Sequence, residues 1–301
     1  MSSIKNVLFI QSGLGVLANM FLLIFYILII LGHRPKPMDL ISCQLSFVHI
    51  MMLLTAGDNW FTDLFESLNI KNDFICKAAF YTSRVMRGLS MGITCLLSVF
   101  QAVTISPSTS LLTKFKHKLK NYIIYAVFYI FFNFSINSHM IVYVGGFNNV
   151  SKTNQMRITK TCSHFPMNNI IKELILTVIT LKDVFLVGVM LTTSIYMVII
   201  LYRHQRKCKH LHSIRHLRAS PEKKATQTIL LLLVFFVVMY WVDLIISSTS
   251  VLLWMYDPVI LTVQKFVVNA YPTITPLVQI SSDKRIINVL KNLWLKCHQT
   301  V

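Results

Sequence analysis

Two arginines inside an apolar stretch are the most chemically pointed feature of this sequence. Arg84 and Arg87 lie within residues 76–107, CKAAFYTSRVMRGLSMGITCLLSVFQAVTISP. Three residues apart on a helix, they share a face with Phe80, Ser83 and Met91. A charge deep in an apolar helix costs about 2.5–3.5 kcal/mol on insertion scales, so it must face an interior and have a partner. One chemistry open to it is a forked, charge-assisted contact with an anion such as a sulfate or carboxylate. The other is an internal ion pair with Asp183 or Asp243, acids in later apolar runs. Asp243, flanked by Tyr240 and Trp241, can equally meet a cationic or hydroxylated molecule. Tyr271 precedes Pro272, with Pro276 four residues further on. Each proline removes a backbone bond and kinks a helix, which makes this region a candidate hinge. The candidate binding set is therefore Phe80, Ser83, Arg84, Arg87, Asp243 and Tyr271.

The elements that must position these residues are apolar runs. Of 301 residues, 54% are hydrophobic and 13% charged, against about 25% charged in soluble domains. Seven runs stand out, at about 7–32, 39–57, 74–104, 121–143, 170–202, 225–249 and 262–281. Each approaches or exceeds the roughly 20 residues that span a bilayer as a helix. The fourth is interrupted by Asn133, Asn137 and His139. From Cys76 to Gln101 a helix rises about 37 Å, enough to cross with some tilt. The net charge of +18 does not indicate nucleic acid, because the basic residues lie between apolar runs rather than along amphipathic faces. The chain reads as a single all-α membrane domain, residues 1–301, with a tail at 282–301.

Lysine and arginine set its orientation. With the N-terminus outside, eighteen fall on inner segments and five on outer ones. The inner segment 203–224 is the richest. Asn149-Val150-Ser151 is a glycosylation sequon in an outer segment, whereas Asn133-Phe134-Ser135 lies within a run. Cys76 and Cys162 both fall outside, in an oxidising compartment, where a bridge would pin the second outer loop over the third run. Cys43 and Cys95 lie in runs and Cys208 and Cys297 on inner segments, which suits reduced, packing or lipidated thiols. No CxxC, Cys/His cluster, GxGxxG, Walker loop, GxSxG or HExxH is present, so neither a metal, a cofactor nor an enzyme is called for. The first run is too long for a cleavable signal and reads as a signal anchor. His33-Arg34-Pro35-Lys36-Pro37 forms a stiff link between the first two runs. Ser220-Pro221-Glu222 opens the sixth helix with a cap and a first-turn proline. In the tail, Ile287, Leu290 and Leu293/Trp294 share one face, which suits an amphipathic helix along the inner surface.

The segments HRPKPMDLISCQLSFVHIMML (33–53), RGLSMGITCLLSVFQAVTISP (87–107), PEKKATQTILLLLVFFVVMYWVDLIISS (221–248) and NAYPTITPLVQISSDKRIINVL (269–290) resemble the vomeronasal type 1 receptors. These are pheromone receptors among the G-protein-coupled receptors. The resemblance covers nearly the whole chain. Compared with rhodopsin-like receptors, Asn19 is similar to their buried asparagine. His49 stands where they usually carry a sodium-binding aspartate, and Phe100-Gln101-Ala102 replaces Asp-Arg-Tyr. Thr275-Pro276-Leu277-Val278-Gln279 replaces Asn-Pro-x-x-Tyr, and the sixth run lacks their proline near Trp241. The sodium site and ionic lock are therefore absent as switches, a pattern the vomeronasal family shares.

The resemblance implies a seven-transmembrane-helix bundle at the plasma membrane of vomeronasal sensory neurons. Its partners would be the bilayer, a small pheromone-like ligand, with an anionic one such as a sulfated steroid among the candidates, and a heterotrimeric G protein of the Gi/o type. Gln101, Arg203, Arg206, Lys223 and Lys224 would border the cleft that opens for that G protein. The basic residues among them suit topology and anionic lipid equally well. A small transporter is the alternative, but it calls for repeat symmetry or matching Gly-interrupted helices, and no such symmetry is visible with nine glycines in all.

Overall fold

The computed structural model describes residues 2–32, 37–56, 72–106, 122–146, 156–157, 162–165, 167–211, 234–235, 237–242, 245–246, 258–283 and 285–289. In chain order the helices are α1 (Ser2–Gly32), α2 (Pro37–Ala56), α3 (Asn72–Ile105), α4 (Tyr122–Asn137), α5 (His139–Tyr143), α6 (Asn169–Leu211) and α7 (Pro258–Ser282). Between α5 and α6 lie short strands β1 (Val144–Gly146), β2 (Met156–Arg157) and β3 (Cys162–His164). They pair antiparallel in the order β1-β3-β2. Residues 234–235, 237–242, 245–246 and 285–289 are also helical. Four of the described helices are long and apolar enough to cross a membrane: α1, α2, α3 and α6.

Two runs differ from their sequence expectation. The fourth is two helices, not one. Ser135 and Ser138 return their hydroxyls to Phe131 and Ser135 carbonyls at 2.9 and 2.7 Å, while the Ser138 amide takes a tight i→i−3 bond to Ser135. Such local bonds compete with the helical ladder and break it here. The fifth run continues as α6 to Leu211, because nothing in the basic stretch that follows it forbids a helix.

Helix α3 is the axle. It packs against α2, α4, α5, α6, β1 and β3, and more than half of its apolar span is buried, against less than a fifth for α6. Gly88 and Gly92 are four apart on α3, the small-xxx-small spacing that lets helices approach closely. A Cβ at Gly88 would collide with Asn133, and one at Gly92 with Tyr129. Tyr129 uses the closeness to donate its hydroxyl to the Gly88 carbonyl at 2.7 Å. Outward faces are apolar: Leu17, Leu31, Phe131 and Phe185 are all exposed, as expected of helices solvated by hydrocarbon chains.

Helix α7 contains Pro272 and Pro276, and Pro276 has no N–H to offer the Pro272 carbonyl. The buried Asn19 of α1 supplies the missing donor, at 2.8 Å, and also bonds the Gly15 carbonyl. The gap in the backbone ladder is thus closed by a side chain from another helix.

The two ends of the bundle are fastened differently. At one end Cys76 and Cys162 form a disulfide with Cα atoms 5.7 Å apart. It is buried with Val144, Phe80 and Met140. At the other end Ile286, fully buried, inserts beside Leu22 and Tyr26. There the Arg285 guanidinium meets Asp39 at 2.8 Å and Asp283 at 3.0 Å. The hydrogen bond to Asp39 first, and that to Asp283 second, push Arg285 above its ordinary pKa.

Candidate functional site

Between α3, α7 and the 237–242 helix lies a cavity of about 40 Å³. Arg87, Ser90 and Met91 come from α3, Met239 and Tyr240 from 237–242, Val267, Val268 and Tyr271 from α7, and Met52 from α2. One cation, two phenols and one hydroxyl are set among apolar walls. The walls include three methionines, whose unbranched side chains reshape at little cost. The volume is far below the several hundred Å³ that a drug-sized molecule fills.

Two polar networks frame the cavity. The first is neutral and joins α2, α3 and α7. Thr94 donates its hydroxyl to the Ser90 carbonyl at 2.7 Å. Its one proton is thereby used, so Tyr271, 2.9 Å away, donates to Thr94. His49, fully buried, bonds the Ser90 hydroxyl at 3.1 Å and meets the Tyr271 ring edge to face at 5.2 Å. His49 thus ties α2 to both α3 and α7.

The second network is charged. The Arg87 guanidinium lies over the Tyr240 ring, 5.9 Å from its centroid, within cation–π range. Tyr240 donates its hydroxyl to Asp183. The other Asp183 oxygen meets Lys182 at 3.1 Å, and Lys182 also donates to Asn133 at 3.3 Å. Further along α3 and α6, Ser98 bonds Thr193 at 2.5 Å and Ser106 bonds Tyr196 at 2.8 Å.

A family model described as the vomeronasal organ pheromone receptor family matches residues 2–292. The chain is 38% identical over 302 residues to vomeronasal type-1 receptor 100 of Rattus norvegicus, covering 98% of this chain and 91% of that receptor. It is 38% identical over 293 residues to vomeronasal type-1 receptor 45 of Mus musculus, covering 96% and 92%. The chain belongs to the vomeronasal pheromone receptor family. It is accordingly a membrane protein of the G-protein-coupled receptor class, a family of receptors and not of enzymes.

The residues singled out in the sequence of this receptor separate into groups. Arg87 and Tyr271 both line the cavity. Phe80 instead packs on the disulfide, while Ser83 and Arg84 are half-buried on α3 and are not among the cavity-lining residues. Asp243, Asn149, Lys223 and Lys224 lie outside the described residues. Asp183, one of the two acids considered for an arginine, is engaged by Lys182 and Tyr240. Gln101 is buried in this conformation. Arg203 and Arg206 are exposed near the end of α6, with Arg206 over the Tyr202 ring. Cys43 and Cys95 are free thiols. Sequence reasoning missed Lys182, Asn133, Ser90 and Thr94. The signal for Lys182 was its position inside an apolar run beside an acid.

Proposed function

We propose that this receptor binds a small chemosignal in the cavity beside Arg87 and responds by opening its tail end to a heterotrimeric G protein. The disulfide end faces outside and the tail end faces the cytoplasm of a vomeronasal sensory neuron, as the lysine and arginine distribution favours. Seven helices cross the plasma membrane in this reading, with the tail helix on the inner surface and Asn149 glycosylated outside. The observation that carries it is the half-buried Arg87 on the wall of a methionine-rich cavity.

An anionic headgroup with an apolar body, as in a sulfated steroid, suits that cavity best. The planar guanidinium of Arg87 can take such a headgroup through forked, charge-assisted hydrogen bonds, while the methionine and valine walls suit the apolar body. Tyr271 lines the same cavity, and Phe80, Ser83, Arg84 and Asp243 would join the ligand set for a molecule that extends beyond it. Movement of the sixth helix then brings Gln101, Arg203, Arg206, Lys223 and Lys224 to a cleft for the G protein, a two-state shift of a packed bundle. The family resemblance points to the Gi/o type.

The test is a calcium or cAMP response in cells expressing the receptor with an inhibitory-type G protein. Sulfated steroids, neutral volatiles and small amines are applied to the parent, Arg84→Ala and Arg87→Ala. The expected result is a sulfate-selective response lost in Arg87→Ala at unchanged surface level. Responses to neutral volatiles that survive both substitutions would sink the anion reading.

A further inference from the structure

Asp183 makes no contact with the cavity as lined above, yet it holds a residue that does. Its side chain is buried, and its two oxygens are used separately, one on Lys182 and one on the Tyr240 hydroxyl. Neutralising Lys182 needs only the first. The second makes a charge-assisted hydrogen bond to a buried phenol, about twice as strong as a neutral one. That bond fixes where the Tyr240 ring stands, and on that ring rests the Arg87 guanidinium. Lys182 and Asp183 are neighbours in sequence, and neighbours on a helix do not normally face each other. Their meeting at 3.1 Å shows both side chains turned to one spot, where Asn133 of α4 takes the third place. Asn133 is in turn seated against Gly88, next to Arg87 in sequence.

We propose that Asp183 is a positioning residue for the ligand site: by holding the Tyr240 hydroxyl it sets the ring that supports Arg87. Lys182 and Asn133 hold Asp183 in register for that role. The inference deepens the reading of the cavity as the ligand site, but the positioning itself is measurable without a ligand.

The experiment uses the full-length receptor in intact cells, with Cys43→Ser, Cys95→Ser, Cys208→Ser and Cys297→Ser and the disulfide retained. Val268→Cys places a reporter thiol on the cavity wall, and its labelling rate by a small methanethiosulfonate reagent reads how firmly the wall is closed. Three perturbations are compared at equal surface level. Tyr240→Phe keeps the ring and removes only the hydroxyl. Lys182→Met with Asp183→Leu removes both charges and the acceptor for Tyr240 together, because either change alone leaves a buried charge without its counter-ion or a carboxylate still holding the phenol. Asp183→Glu keeps the charge for Lys182 but displaces the carboxylate by one methylene, and it serves if the neutral pair does not reach the surface.

Each perturbation is expected to speed labelling by at least about threefold, the change in open population that loss of one side-chain hydrogen bond brings. Combining Tyr240→Phe with either Asp183 change should give no more than the single changes, since all break the same link. Unchanged rates, including absence of labelling throughout, would overturn the proposal, and so would effects that multiply. Because no ligand is added, a failed response panel bears on the ligand reading alone.

Discussion

The disulfide end and the tail end of the receptor solve one problem in two ways. Each buries a small apolar cluster and adds a polar or covalent link between distant parts of the chain. At the disulfide end the link joins residues 86 apart and cannot be undone by thermal motion. At the tail end Arg285 reaches back 246 residues to Asp39, with a half-exposed side chain that can let go. A bundle fixed covalently at one end and by charge at the other is free to reorganise at the second. That asymmetry fits the proposed delivery of the response from the releasable end.

Breaking the covalent link should have the largest effect. Cys162→Ser removes a cross-link whose loss typically costs about 2–5 kcal/mol in small secreted domains, and it exposes the cluster of Val144, Phe80 and Met140. The expected outcome is loss of most surface receptor, measured by surface labelling, with Cys76→Ser giving the same result and the double change no more. Surface levels equal to the parent would mean that the sheet and its cluster hold this end unaided.

Next comes Ile286→Ala. Ile286 is fully buried beside Leu22 and Tyr26, and truncations of buried isoleucine cost about 2–5 kcal/mol in protein cores. The 285–289 segment is short, so the loss should appear as local undocking rather than unfolding. Protease cleavage beyond Asp283 should quicken while accessibility of the cavity beside Arg87 stays as in the parent. Equal change at both ends would erase the distinction between them.

Much of this architecture is legible in the sequence because a bilayer imposes length and polarity so strictly. The helices α1, α2, α3 and α7 match their runs to within a few residues, and Cys76 and Cys162, both on segments expected to lie outside, are bridged. What stayed hidden has local physical causes. The fourth run breaks at Ser138 through side-chain bonds that hydropathy cannot register. Gly88 and Gly92 sit in plain view, but their meaning depends on Tyr129 and Asn133 arriving from another helix. Arg87 was legible as a charge in an apolar helix. Its support, Tyr240 held by Asp183 and Lys182, was not, because which face a helix presents is set by tertiary packing. In the tail the bundle buries Ile286, which the sequence did not single out, and leaves Ile287 exposed on the face expected to lie along the inner surface.

The smallest and sharpest effects lie in the ionic latch itself. Asp39 has a side chain 4% exposed, against 21% for Asp283, so its attraction for Arg285 is less screened by solvent. Asp283 also caps the short helix that follows it. Its carboxylate accepts the Arg285 amide at 2.9 Å, and its carbonyl accepts that of Ile287, as a residue opening a helix does. Asparagine caps a helix as well as aspartate does. Asp39→Asn should therefore loosen the tail by about 1 kcal/mol, the scale of one charge-assisted bond to a half-exposed partner. Asp283→Asn should cost less, within about 0.5 kcal/mol as for exposed pairs, and Asp283→Ala more than Asp283→Asn because the cap is lost too. The raised pKa of Arg285 means the guanidinium's contribution is lost only as pH rises through that value. Tail protection should therefore be flat from neutral pH to about pH 10 as far as Arg285 is concerned, while salt weakens the Asp283 contact before the Asp39 one. Proteolysis of the tail across salt and pH reads all of these, and an Asp283→Asn effect exceeding that of Asp39→Asn would place the latch on the exposed pair instead.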